Sequence, residues 1–436
     1  MEEAPHGAGA ANARRSARIP GFHRMSMAER RAALAAFAGL GDDDVARLAE
    51  TGALPADLTE RMIENAVGAM PVPIGIATNL RIDGIDRLVP MATEESSVVA
   101  AVCNAARLNY DDGGFTTSAT QSLMIAQIQL VGVSDPLGAR LAILENRARI
   151  AEICNACDPV LVRHGGGFTD LDVRIIESRS GPMVISHIII DTRDAMGANA
   201  VNTMAETLAP HIAGWTGGRV YLRILSNLAD RRLARARAVW RAQALGGPDV
   251  VAGIVQASHF AEADPYRAAT HNKGVMNGVG ACVLATGNDT RAIEAGAHAY
   301  AARNGRYASL ARFEENAAGD LVGTLEMPLA VGLVGGATRV HPVARLCVAI
   351  LGVESAREMA RIFCAIGLAQ SFAALKALAT DGIQKGHMGL HAQNLAMMAG
   401  AVGAEIDAVA GALVASGSVR MDRAEAELAR LRGEGA

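Results

Sequence analysis

A chain of 436 residues that is 50% hydrophobic but only 3% aromatic is long enough for two or three domains and a large core, which Ala, Val, Leu, Ile and Met must fill. A formal charge of -4 and a pI of about 6.3 exclude an electrostatic case for nucleic acid or an anionic membrane and leave a small molecule as the expected partner. No uninterrupted apolar segment reads as a membrane span and the N-terminus lacks a hydrophobic signal segment, so a cytoplasmic protein is expected.

Residues 1–18 read as a disordered tail, in which Gly7-Ala-Gly9 mimics half a dinucleotide fingerprint but follows no strand. Ser26 to Leu58 reads as helical, opened by a capping box at Ser26-Met-Ala-Glu29 and carried by Leu34, Phe37 and Leu40. Glu64, in Met62-Ile63-Glu64-Asn65, is either a surface charge or an inward-facing site group. Pro71 and Pro73 stop the helix, and Gly75 to Val89 reads as strands with a turn at Asp83-Gly84. Glu94 and Glu95 then lie between a strand and a small-residue helix, where a carboxylate either caps the helix or serves as a partly buried general acid.

From Ser122 to Asn227 the order is orderly: strand, helix over Leu137–Cys157, two strands over Leu171–Ser178 and Met183–Asp191, helix over Ala200–Ala213, strand over Val220–Leu225. That is the ferredoxin-like βαββαβ arrangement, read as an inserted domain. Within it, Asp194-Ala-Met196-Gly197-Ala-Asn199 opens onto a helix N-terminus, whose free N–H groups suit a phosphate. No G-x-G-x-x-G follows a strand, which disfavours a Rossmann domain.

Arg231 to Leu245 reads as a basic, solvated helix. Asp264 to Asp289 reads as a loop gathering Arg267, Lys273, Asn277 and Asp289, groups able to hold or polarise an anionic or carbonyl substrate. Helices follow at Arg291–Arg303, Pro342–Leu351, Ser355–Leu368 and, after Gln370, to Ala379, with a strand and glycine-rich turn over 323–338. Ile406–Val414 and Met421–Leu431 are amphipathic, and Gly386 offers a hinge beside His387. His387 and His391 are four apart but lack the Glu of H-E-x-x-H, and Cys154-x-x-Cys157 has no second pair, so no metal is expected and the six cysteines read as reduced core thiols.

Taken together, Met62-Ile-Glu-Asn65, Val89-Pro-Met with Glu94-Glu95, Asp194 to Asn199, Asp264 to Gly278, Ala285-Thr-Gly-Asn-Asp289, Gly323 to Thr338 and Gly386-His387-Met388 resemble the class II (bacterial type) 3-hydroxy-3-methylglutaryl-coenzyme A (HMG-CoA) reductases, from about Ile19 onward. The resemblance implies an α+β fold: a mostly helical large substrate-binding domain (19–121 and 228–381), an inserted nicotinamide-binding domain (122–227) and a small helical C-terminal flap (382–436). It implies Glu95, Lys273, Asp289 and His387 as catalytic residues, Arg267, Asn277, Ser97, Gln370 and Glu64 as substrate contacts, and Asp158, Asp194, Met196, Gly197 and Asn199 as cofactor contacts. Such enzymes work as dimers, often assembled further, with active sites at the dimer interface. Ser96 stands where the family usually has Pro.

The implied reaction links HMG-CoA to mevalonate and coenzyme A by two hydride transfers, through mevaldyl-CoA and mevaldehyde. Lys273, aimed by an adjacent Asp289, would stabilise the oxyanion, Glu95 would protonate the aldehyde oxygen, and His387 would protonate the departing thiolate. Arg267 would pair with the acyl carboxylate. Asp158, accepting from ribose hydroxyls, would repel a 2′-phosphate, so NAD(H) is the expected cofactor. A non-catalytic coenzyme A or nucleotide-binding protein on the same fold, and an acylating aldehyde dehydrogenase, are the competing readings. The first needs only part of the catalytic set, all of which is present, and the second needs a cysteine in a polar setting, whereas Cys103, Cys282 and Cys364 sit in apolar runs.

Overall fold

Ser26 opens the first helix as its sequence dictates: its side chain accepts from the Glu29 N–H while the Glu29 carboxylate accepts from the Ser26 N–H. The computed structural model describes residues 16–50, 54–380 and 383–433, without the side chains of residues 56 and 383–390. The expected single helical run is three helices, α1 (Met27–Ala38), α2 (Asp42–Ala49) and α3 (Ala56–Met62), the first stopped by Gly39 at φ 69. The last three residues of the expected tail are held in place. Ala17 is fully buried, its N–H donates to Asp86 at 2.8 Å and its carbonyl accepts from Asn79, so residues 16–18 are pinned to the body of the protein. Gly7 and Gly9 lie outside the described residues.

β1 (Ile74–Ile82) and β2 (Ile85–Ala92) form the expected hairpin, with Asp83 at φ 52 and Gly84 at φ 78 as a two-residue turn. α4 (Val98–Asn109) and β3 (Phe115–Ala119) lead into a second sheet. There the order is β4 (Leu123–Val131), α5 (Pro136–Glu145), α6 (Arg147–Cys157), α7 (Pro159–Arg163), β5 (Gly167–Ile176), β6 (Met183–Asp191), α8 (Ala198–Thr216) and β7 (Arg219–Leu225). Its strands run β5-β6-β4-β7, all antiparallel, which is the ferredoxin-like βαββαβ order. The helix expected over 137–157 breaks at Asn146.

The chain returns through β8 (Leu233–Trp240), α9 (Ala242–Leu245), α10 (Pro248–Ala263), α11 (Pro265–Ala285), α12 (Thr290–Ala301), β9 (Ala311–Glu315), β10 (Leu321–Pro328), α13 (Gly336–Val340), α14 (Pro342–Leu351) and α15 (Ala356–Ala379). Here two expectations fail. The basic helix over 231–245 is mainly a strand: Ala234, Ala236, Ala238 and Trp240 face inward while Arg235 and Arg237 face out, a period of two. The loop over 264–289 is mostly the 21-residue helix α11, capped by Asp264, whose side chain accepts from the Arg267 N–H.

A six-stranded sheet, β2-β1-β3-β8-β10-β9, carries the large part of the fold, with α15 packed on it and against α11, α4 and α10. α15 is one continuous helix of 24 residues, long and apolar enough to cross a membrane by length and composition, yet 67% of its apolar window is buried inside the protein. Trp240 pins the core: its ring stacks on Phe372 of α15 at 4.0 Å, meets Phe115 edge-on, and its indole N–H donates to the Ala105 carbonyl of α4 at 3.0 Å. α16 (Ile383–Met398), α17 (Ala404–Ala415) and α18 (Met421–Arg432) close a smaller core of their own around Leu395, Val409, Leu413 and Leu428. All six cysteines are free, and burial pushes the Cys154 thiol up to about 12. Replacing Trp240 by Ala removes the ring that joins strand to helix, and a loss of about 3–5 kcal/mol is expected in urea unfolding followed by circular dichroism.

Candidate active site

Lys273 and Asn277 stand one turn apart on α11 and address the same carboxylate: Lys273 Nζ donates to Glu95 Oε2 at 2.6 Å and Asn277 Nδ2 to Glu95 Oε1 at 3.3 Å. Glu95 is presented by the link between β2 and α4, where its N–H donates to Thr93 Oγ1 and Ser97 starts α4 in a left-handed conformation at φ 71. Glu95, expected to be partly buried, has a side chain 42% exposed in the single chain, and that of Lys273 is 59% exposed. An exposed pair of this kind stabilises a fold by about 1 kcal/mol or less, so the arrangement is not explained by stability.

Arg267, further back on α11, is half-buried, burial lowers its pKa, and among the described residues its guanidinium has no hydrogen-bond partner. One turn on, burial and the Arg267 charge push the enclosed His271 down to about 4. Gln370 of α15 is buried beside Gly278, where a Cβ would come within 3.0 Å of the Gln370 Cβ, and its Oε1 has no partner among the described residues. A half-buried cation on α11 and a buried amide oxygen on the α15 face packed against α11 join the ion pair as candidate site groups.

The second group of residues lines a groove of about 2660 Å³, among them Asp158, Met196, Gly197, Asn199 and Asp289. α8 starts there with no side-chain cap, on Gly197 at φ 99, leaving the N–H groups of its first turn free. A Cβ on Gly197 would meet Thr192 Cγ2 at 2.4 Å, so the close turn requires glycine. An uncapped 19-residue helix beginning in small residues fits the pyrophosphate of a dinucleotide. Asp158 caps α7 by accepting from the Leu161 N–H at 2.9 Å. Asp194 turns the other way: its carboxylate accepts from the Ala356 N–H and its carbonyl from the Leu333 N–H, both at 2.8 Å, which makes it a brace beneath the turn.

Asp289 belongs to this second group and not to the first. Its carboxylate caps α12 by accepting from the N–H groups of Arg291 and Ala292, and it makes no bond to Lys273. Between Lys273 and the end of α11 at Ala285 lie about 18 Å of helix axis. α12 folds back with Glu294 beside Gly280, which keeps Asp289 at the far end. Glu64 sits in an exposed turn after α3. His387 lies on α16, its side chain outside the described residues. Sequence reasoning missed Asn288, which lines the groove and accepts from the Gly332 N–H at 2.8 Å, and Arg232, which is buried and not on a solvated face.

A model of the family described as hydroxymethylglutaryl-coenzyme A reductase matches residues 26–392. The 3-hydroxy-3-methylglutaryl-coenzyme A reductase of Archaeoglobus fulgidus is 55% identical over 417 residues, covering 96% of this chain and 95% of that protein. A probable reductase of the same name from Borreliella burgdorferi is 38% identical over 349 residues, 78% of either chain. Among solved structures, the class II reductase of Streptococcus pneumoniae bound to NADPH in open conformations superposes with a TM-score of 0.80 at 39% identity, covering 94% of this chain and 100% of that one.

Gly197→Ala tests the close turn at the start of α8. Its left-handed backbone and the contact with Thr192 predict a loss of about 1–3 kcal/mol in thermal unfolding, part of which returns when Thr192→Ser removes the nearest methyl group.

Proposed function

The chain belongs to the hydroxymethylglutaryl-coenzyme A reductase family, class II, and interconverts HMG-CoA with mevalonate and coenzyme A; on that basis we propose how its residues divide the reaction and which dinucleotide they take. The observation that carries the assignment of roles is the ion pair of Lys273 and Glu95, with Asn277 on the same carboxylate. Lys273 donates to the thioester oxygen and holds the negative charge that develops there. Glu95, sharing a proton-bearing contact with Lys273, delivers a proton to the oxygen of mevaldehyde at the second reduction. Arg267, half-buried and without a partner, takes the acyl carboxylate, and Ser97, Gln370 and Asn277 orient the rest of the acyl group.

The nicotinamide dinucleotide supplies the two hydrides. The free N–H groups at the start of α8 hold its pyrophosphate, with Met196, Gly197 and Asn199 around it. Asp158 accepts from the adenosine ribose and repels a 2′-phosphate, and the insert contributes no Lys or Arg to the described wall of the groove; both features favour NAD(H). On this reading residues 122–227 are the nicotinamide-binding domain and residues 382–436 the flap that brings His387 to the departing thiolate.

The two groups of site residues also argue for a dimer. Lys273 and Asp289 of one chain stand too far apart to share a substrate oxygen, so Asp289 meets the Lys273 of a second copy. The strap after α3, with Met62 and Met70 lining the groove and Ile63 and Val67 exposed between them in the chain, offers the apolar surface such an interface needs.

Mevalonate, coenzyme A and NAD+ are expected to yield NADH, with NADP+ the poorer substrate, and Lys273→Ala to lower the rate by about 100-fold or more. Preference for NADP+ removes the role of Asp158 and leaves the reaction standing. Co-expressed Lys273→Ala and Asp289→Ala subunits are expected to recover activity that neither has alone; failure of mixed dimers to do so refutes the shared site.

A further inference from the structure

Arg232 is a buried charged side chain that the reaction leaves unexplained. It is 5% exposed, in the return from β7 to β8, and among the described residues no carboxylate bonds it. Its Nη1 donates to Thr192 Oγ1 at 3.0 Å, to the Ala195 carbonyl at 3.1 Å and to the Met196 carbonyl at 3.2 Å, and its Nη2 to the Val331 carbonyl at 2.5 Å. Burial pushes the guanidinium down to about 10, opposed by the charges of Asp191 and Asp194. Taking such a charge out of water is costly, and breaking a buried charged hydrogen-bond set costs more than an ordinary contact repays. The choice of acceptors says what the charge does.

A trans peptide is planar, so a carbonyl drawn one way turns the following N–H the other way. Val331 shows the rule: its carbonyl faces Arg232 and the next N–H, that of Gly332, donates outward to Asn288 Oδ1 on the groove wall. Met196 obeys the same geometry. With its carbonyl held by Arg232, the Gly197 N–H is turned away from the guanidinium, and Gly197 is the N-cap of α8 on the groove wall. Thr192, the third partner, is the residue against which Gly197 packs. The opposing loop is locked to the same turn: a Cβ on Gly332 would meet the Met196 nitrogen at 2.4 Å, and Ala195 and Val334 form a parallel bridge.

We propose that Arg232 is the positioning residue of the dinucleotide cradle: by holding the carbonyls of Ala195, Met196 and Val331 inward it aims the N–H groups at the start of α8 into the groove. The proposal deepens the reading above and rests on the assignment of that cradle to the dinucleotide. It separates two effects. The acyl group is held at the Lys273 and Arg267 end of α11, which Arg232 does not touch, so only the dinucleotide should sense its loss.

The test uses the full chain with Arg232→Met, Arg232→Lys and Thr192→Val. KM for the dinucleotide and for HMG-CoA are measured with kcat, NADH binding is followed by its fluorescence, and folding is monitored by Tm. In Arg232→Met the Kd and KM for the dinucleotide should rise by about tenfold or more while KM for HMG-CoA stays within about twofold. Arg232→Lys should recover only part, because three donors on one nitrogen cannot span the four acceptors. Thr192→Val should move the same constants in the same direction by less, and it decides the matter if Arg232→Met does not fold. A lowered Tm with unchanged dinucleotide binding, or an equal rise of both KM values, overturns the positioning role while leaving the cradle in place. Wild-type protein that binds no nicotinamide dinucleotide overturns the cradle assignment and the role of Arg232 with it.

Discussion

One rigid element sets the spacing of the two groups of candidate site residues. α11 runs unbroken from Pro265 to Ala285, and a helix extends by a constant rise, so Lys273 and the Asn288–Asp289 corner are held apart by a length the chain cannot shorten. Gly274, Gly278 and Gly280 would each weaken an isolated helix. Here the helix survives because it is packed: Gly278 lets α15 approach until the Gln370 Cβ and the Ile366 carbonyl are each 3.0 Å from the space a Cβ would fill. The same close approach buries the amide oxygen of Gln370, which has no partner among the described residues.

The two ends of the site are built on opposite electrostatic terms. Lys273 and Glu95 form an exposed pair that adds little to stability, which leaves both free to exchange partners with a substrate. Arg232 is buried and fully committed, and its bonds are to neutral oxygens, so its charge serves to orient peptide groups. The insert and the large sheet meet where that orienting charge sits, with Thr120 hydrogen-bonded to the Arg231 carbonyl and to Leu233 beside it.

Local signals were legible where they were short and self-contained. The Ser26 capping box, the Asp83-Gly84 turn and the βαββαβ order depend on neighbours within a few residues or on a clear period. Misreadings arose where the pattern had two solutions. Alternating Arg and Ala over 233–240 looked like a charged helix because the inward residues are mostly small, yet its period of two marks a strand with Trp240 at its end. Glycines and charges over 264–289 looked like a loop, since nothing local shows that α15 will pack against them.

Sequence by itself determined the family and the ferredoxin-like order of the insert, because these are carried by motifs and periods written along the chain. Tertiary structure alone decided that Glu95 answers to Lys273 and Asn277, that Asp289 stands with the groove residues instead, and that Arg232 is inside. Those facts depend on helix length, on which faces pack and on the direction of individual peptide planes. None of these is encoded by the identity of any one residue.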